Sequence, residues 1–178
     1  MKELKTTELH LPLQPGALES LKNVDLVYLT GTVYTARDAA HRRIAALLAE
    51  GKEPPFPLDG AAVYYCGPSP AKPGEIIGSC GPTSSARMDS LTLPLLERGL
   101  KIMIGKGNRS AEAATQTEQR GAIYLKAVGG AAAYYKQFVK SCRVIAFPDL
   151  GPEAVRELHV EKMPLLTEHA SADFVTSG

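Results

Sequence analysis

The chain has 178 residues, which at roughly 150 residues per domain is one domain with little to spare, and at that length folding hides about 70% of the unfolded surface without help from disulfides. Twenty Lys and Arg against nineteen Asp and Glu leave a net charge of +1, which argues against a nucleic acid as the main partner. Cys66, Cys80 and Cys142 are widely spaced and include no C-x-x-C pair, so this chain by itself lacks a cysteine set for zinc or an iron–sulfur cluster.

Met1 to Pro12 contains no signal-type apolar stretch and no apolar run approaches ~20 residues, so the chain reads as soluble, cytoplasmic and without a membrane segment. Residues 1–10 predict a short strand closed by Pro12. Pro15-Gly16 opens a helical turn over Ala17 to Leu21. Leu26 to Tyr34, dense in β-branched and aromatic residues, predicts a buried strand with a bulge or close contact at Gly31. Thr35 with Asp38 three positions on has the spacing of a capping box, so a helix is expected from there to Gly51, with Ala40, Ile44, Leu47 and Leu48 on its apolar face.

Prolines exclude regular structure from Glu53 to Gly60. Ala61 to Cys66 and Glu75 to Cys80 are read as strands around a loop of breakers, and Ser84 to Leu91 as helical. Thr92-x-Pro94 is read as the start of a second helix that stops at Gly99. Lys101 to Gly105 predicts a strand, and Ser110 caps a helix from Ala111 to Arg120. Ala122 to Val128 is read as a strand, Gly129-Gly130 as a turn, Ala131 to Lys140 as a helix and Arg143 to Phe147 as a strand. One or two antiparallel edge strands are expected from Glu153, with fraying at Ser177-Gly178. Alternating strands and helices predict an α/β fold with at least a partly parallel sheet.

Three strand-to-helix turns carry a cation: Thr35 to Asp38, Gly81 to Asp89, and Gly105 to Ser110. Free backbone N–H groups and the positive helix end favour an anion at such a turn, and in parallel sheets these turns gather at one edge. Arg37, Arg87 and Lys106 are therefore candidates to converge on a ligand with two negative groups. An Arg fork suits a carboxylate, while Lys acts as a point charge. Against this, a single Arg in a first helical turn is commonly a solvated or surface-paired side chain. His41 reads as a pairing or packing residue of the same helix, Cys66 and Cys80 as small core residues, and Tyr134-Tyr135 as packing. A Walker A loop is excluded, because Gly99 lies one residue too far from Gly105-Lys106. Gly105-x-Gly107-x-x-Ser110 is a near miss to the dinucleotide fingerprint, with Lys126 where an acidic residue is wanted.

The motifs Gly31 to His41, Tyr64 to Pro70, Gly74 to Ser79, Gly81 to Asp89 and Lys106-Gly107-Asn108, in this order over nearly the whole chain, closely resemble the C-terminal domain, or separate β subunit, of iron–sulfur class I fumarases and tartrate dehydratases. The resemblance implies a single domain over residues 1–178: a three-layer β/β/α swivelling domain with a partly parallel central sheet. It implies half of a hydro-lyase that interconverts fumarate and (S)-malate, inactive without an α subunit whose cysteines ligate a 4Fe–4S cluster, in an α2β2 heteromer. Iron there acts as a Lewis acid on substrate oxygen. By the same resemblance Arg37, Arg87 and Lys106 contact the dicarboxylate, and Thr83 occupies the position of the proton-abstracting residue. An alcohol is a poor base near neutral pH, so positioning or hydrogen bonding suits Thr83 better. Asp38 and Asp89 are expected to orient arginines or cap helices. Cys66 and Cys80 depart from the apolar or small residues common in the family. Tartrate or mesaconate hydro-lyase, or a dicarboxylate-binding module without a catalytic partner, are the alternatives.

Overall fold

The computed structural model describes residues 4–22, 24–128 and 131–168. Its organising strand is β2 (Leu26–Thr35), in which Val27, Leu29, Gly31, Val33 and Thr35 are buried and alternate with more exposed neighbours, the period of two that one packed face requires. One edge of β2 takes β7 (Val155–Glu168) antiparallel along most of its length. The other takes β1 (Thr6–His10), parallel, against Leu26 to Thr30, and β3 (Ala62–Tyr64), parallel, against Tyr34 and Thr35. Between them the chain crosses at Gly31, where a Cβ would lie 2.5 Å from that of Leu11 and where the pairing with β7 slips by a bulge.

From β3 the ladder continues in parallel through β4 (Ile102–Gly105) to β5 (Ile123–Lys126). The end of β7 then pairs antiparallel with β5, which closes a circuit β2-β3-β4-β5-β7, and β6 (Val139–Ala146) extends from the far edge of β7. Closure gives the strands two different faces. Ala62, Tyr64, Ile102, Ile104, Ile123 and Leu125 point into one core with Leu29, Val33, Leu158 and Leu165. The alternate residues Val63, Met103 and Tyr124 join a second core beneath α1 (Asp38–Ala49) and α2 (Asp89–Glu97), with Ala40, Ile44, Leu95 and Leu96. α3 (Ala111–Gln119), capped by Ser110 Oγ accepting from Ala113 N at 3.1 Å, packs against α2. Each of these helices follows one parallel strand and leads to the next, as parallel pairing demands.

Several expected elements differ. Thr35 caps nothing: its hydroxyl donates to Ala154 O and accepts from Arg156 N, so it ties β2 to the start of β7 while Arg37 takes the N-cap position of α1 without a side-chain cap bond. Glu75 to Cys80 is no strand. Ile77 and Cys80 are buried, but the backbone there bonds to a loop and to Ala132 O instead of a ladder. The two helices read on either side of Thr92 are one, because the Thr92 hydroxyl donates to Met88 O inside the helix instead of capping a new one. The helix read over residues 131–140 is a single turn, α4 (Ala132–Tyr135), and a 3-10 turn, after which Val139 already pairs with Val160. The tail strand β7 is no edge: it pairs with β2, β5 and β6. The expected turn at Gly129-Gly130 and the fraying at Ser177-Gly178 lie outside the described residues.

Candidate functional site

β2, β3 and β4 run parallel, so the turns that follow them emerge at one end of the sheet. Arg37 stands two residues beyond β2 with an extended backbone (φ −110°, ψ −164°) and a side chain about 25% exposed. It passes over Gly67, just beyond β3. A Cβ on Gly67 would lie 3.0 Å from Arg37 Cδ, 3.1 Å from Nη1 and 3.2 Å from Pro152 O, so the absence of a side chain there makes the slot the arginine occupies. Arg37 Nε is buried without a hydrogen-bond partner; Glu153 Oε1, 3.9 Å away, is close enough for attraction between charges but too far for a bond.

Asp38, in the first turn of α1, accepts from Arg87 Nε at 3.2 Å and Nη2 at 3.1 Å through Oδ2, while its buried Oδ1 has no partner. Thus Arg87, half-exposed in a 3-10 turn (Ser85–Met88), is drawn to the residue that follows Arg37. His41 is fully buried one turn further on. Its Nδ1 lies 2.9 Å from Arg37 O, so this nitrogen carries the proton and donates, and Nε2 is left buried and unbonded. Burial pulls its pKa down to about 4, which keeps the ring neutral.

The second and third turns are stitched to each other. Thr83 N donates to Tyr65 O at 2.7 Å, Lys106 N to Thr83 O at 3.2 Å and Ser85 N to Lys106 O at 2.9 Å, which prolongs the sheet past β3 and β4. Buried Ser85 bonds Tyr124 at 2.7 Å, and Tyr124 OH donates to Gly107 O at 2.9 Å. Lys106 lines a cavity of about 390 Å³ with Ser84 and Lys126. Lys126 is held by Glu168 at 2.6 Å and Asn108 at 3.1 Å, whereas no hydrogen bond or ion pair of the Lys106 ammonium is found among the described residues. The structure therefore links Thr83 to Lys106 through the backbone, and Arg87 to the Arg37 turn through Asp38.

The residue that sequence reasoning missed is Arg109. Its side chain is 3% exposed and pairs with Asp89, donates to Tyr65 OH at 3.3 Å and Thr92 Oγ1 at 3.1 Å, and lies over the rings of Tyr65 and Tyr124. Asp89 Oδ2 also accepts from Ser110 N at 2.7 Å. Asp89 therefore orients an arginine, but not one of the candidate ligands: it joins the turn bearing Thr83 and Arg87 to the turn bearing Lys106. Only the place of Asp89 at the end of the Gly81 to Asp89 motif hinted at this, since its partner is 20 residues away.

Cys66 and Cys80 are free thiols buried in the inner core; interaction with Cys80 and burial push Cys66 well up, while interaction with Cys66 lowers Cys80. Tyr64 OH donates to Cys80 O. An iron–sulfur cluster does not fit these residues: among the described residues no three His, Cys, Asp or Glu side chains gather as a metal site, and Cys66 and Cys80 are two thiols buried in an apolar core where a cluster needs more ligands.

A family described as Fumarase C-terminus matches residues 1–172. The anaerobic class I fumarate hydratase of Escherichia coli is 38% identical over 151 residues, which is 82% of this chain and 27% of that protein. Fumarate hydratase 2 of Leishmania major is 39% identical over 140 residues, 78% of this chain and 25% of that protein. The putative L(+)-tartrate dehydratase subunit beta of Methanocaldococcus jannaschii is 38% identical over 155 residues, 84% of this chain and 80% of that subunit. The chain thus spans about a quarter of the fumarate hydratases it matches and most of the separate subunit. With the parallel-strand edge, its cationic turns and a match over nearly every residue, the chain belongs to the Fumarase C-terminus family.

Proposed function

We propose that this chain is the β subunit of a hydro-lyase that reversibly hydrates fumarate to (S)-malate, and that it supplies the cationic dicarboxylate pocket. The observation that carries this reading is the unspent bonding capacity at the head of α1: Arg37 Nε is buried without a partner beside a helix N-terminus, at the edge where parallel strands end. Arg37 and the guanidinium donors of Arg87 that Asp38 does not take serve as carboxylate contacts, and Lys106 adds a point charge. Thr83, fixed by its backbone to Tyr65 and Lys106, orients the substrate or bonds to it. A fumarate-type dianion brought against these groups exchanges water for fixed donors, which holds its carboxylates while the central carbons react.

In this reading residues 1–178 form one β/β/α swivelling domain of a cytoplasmic α2β2 enzyme. The 4Fe–4S cluster belongs to a separate α chain, and this chain is inactive without it. Tartrate is a second candidate substrate, favoured by the similarity to the putative L(+)-tartrate dehydratase subunit beta from M. jannaschii, of which this chain covers 80%. Two arginines and a lysine recognise a dicarboxylate without fixing its middle carbons, so mesaconate belongs in the same test. The experiment is to combine the chain anaerobically with an α-type partner whose cluster has been reconstituted, and to measure turnover of fumarate, mesaconate and L-tartrate. Hydration of fumarate is expected, and Arg87→Ala is expected to reduce it more than tenfold. An Arg87→Ala rate within twofold of the unsubstituted complex would remove the carboxylate role, and activity of the iron-free chain alone would remove the half-enzyme reading.

A further inference from the structure

Glu153 lies 114 residues from Ala39 in sequence yet sits at the first turn of α1, on a segment tied down from several sides. Arg43 forks onto Asp149 at 2.8 and 2.5 Å and lies 5.3 Å from the centre of the Phe147 ring. Arg156 donates to the backbone oxygens of Gly151, Pro152 and Ala154, at 3.1 to 3.2 Å. Thr35, the last residue of β2, bonds Ala154 O and Arg156 N. The carboxylate that this segment delivers accepts from Ala39 N at 3.3 Å, one of the first-turn donors a helix leaves open, and stands 3.9 Å from Arg37 Nε.

Arg37 is therefore bounded on two sides. Gly67 and Pro152 O form the slot beneath it, and the Glu153 carboxylate stands at its Nε edge. Attraction without a hydrogen bond restrains the guanidinium while leaving its donors available, which a direct bidentate pair like Arg43–Asp149 does not. We propose that Glu153 is the positioning residue for Arg37: anchored on the α1 N-terminus, it holds the guanidinium in the slot over Gly67 with its fork presented to an incoming carboxylate. This inference rests on the reading of Arg37 as a substrate contact. Glu153 itself touches no substrate and acts only through the arginine.

The test is a double-mutant cycle in the reconstituted complex, together with 15N relaxation of the Arg37 Nε–H in the isolated full chain, assigned with Arg37→Lys. Glu153→Gln keeps an acceptor for Ala39 N but loses the charge, and is expected to raise KM for fumarate about three- to tenfold with kcat within twofold. In an Arg37→Ala background the same substitution is expected to have no further effect. The Nε order parameter is expected to fall from about 0.8 to below about 0.6. A Glu153→Gln effect that persists without Arg37, an unchanged or lowered KM, or an unchanged order parameter overturns the inference. If Arg37→Ala itself leaves KM unaltered, the functional reading of Arg37 fails with it; if Arg37→Ala raises KM while Glu153→Gln is silent, the inference fails alone.

Discussion

Arg109 and Arg37 are both arginines at the heads of helices that follow parallel strands, and they are treated in opposite ways. Arg109 is almost wholly buried, and its donors go to Asp89, Tyr65 and Thr92. Arg37 is a quarter exposed, its Nε has no bond, and the neighbouring Asp38 Oδ1 and His41 Nε2 are also buried and unbonded. A buried polar atom without a partner costs roughly 1–3 kcal/mol, so a fold retains such atoms together only where something else recovers the loss. Charge and position alone do not separate the two arginines; the accounting of their hydrogen bonds does. The bonded arginine builds the frame that joins two turns, and under the proposed function the unbonded one keeps its donors for a ligand.

The sharpest way to break this contrast is to remove each cation. Arg109→Met leaves Asp89 buried without its counter-charge, and breaking a buried pair from one side costs about 3–5 kcal/mol. Arg87 is half-exposed where Arg109 is buried, so water can take its place beside the largely covered Asp38, and Arg87→Ala is expected to lower the urea midpoint clearly less than Arg109→Met does. Equal losses of stability from the two substitutions would end the distinction between frame and site.

His41 sharpens it next, because it belongs to the open region yet is fully buried. In the folded chain it titrates near pH 4, held down by burial, against 6.5 when unfolded. Between these values the unfolded chain takes up a proton that the folded chain refuses. Stability therefore falls as the pH is lowered from about 6.5 towards 4 and levels off below, by about 3 kcal/mol for this group. His41→Asn retains a donor for Arg37 O and removes the titration. Urea unfolding at pH 7 and pH 4.5 is expected to show a smaller acid loss in the variant; an identical loss would mean that His41 is not buried neutral.

These contrasts also mark how far the sequence could be read. The alternation of strands and helices from Leu26 onward was legible because each parallel strand is a short apolar run closed by a turn signal. Glu75 to Cys80 misled because burial of Ile77 and Cys80 comes from loop packing, which has the same apolar signature as a strand. Residues 131–140 misled because Tyr134, Tyr135 and Phe138 cluster at helical spacing and form mutual ring contacts, while the pairing of Val139 with β7 is set by residues far along the chain. Of the candidate site residues, Arg37, Arg87 and Lys106 were picked out because they stand at strand-to-helix turns. Gly67, Arg109 and Glu153 did not, since what each contributes is a contact made across long stretches of sequence.

Gly67 tests the slot directly. Gly67→Ala places a methyl 3.0 to 3.2 Å from Arg37 and Pro152 O, so the guanidinium has to give by a few tenths of an ångström. KM for the dicarboxylate is expected to rise about tenfold, equivalent to about 1.4 kcal/mol, with the urea midpoint close to that of the unsubstituted chain. A loss of stability without a change in KM would place Gly67 with the frame.

The smallest expected effect lies on the frame side. Ser110 accepts from Ala113 N with its hydroxyl and donates to Asp89 Oδ2 with its backbone N–H, so one residue both caps α3 and closes the Asp89–Arg109 clamp. Ser110→Ala removes the cap and leaves the clamp, because the N–H is unchanged. Loss of an N-cap costs about 1 kcal/mol, so urea unfolding is expected to show that decrease while KM and kcat in the reconstituted complex stay within twofold. A rise in KM would mean that the start of α3 moves when its cap is lost and carries Lys106 with it, and the frame would then be looser than the bonding of Arg109 implies.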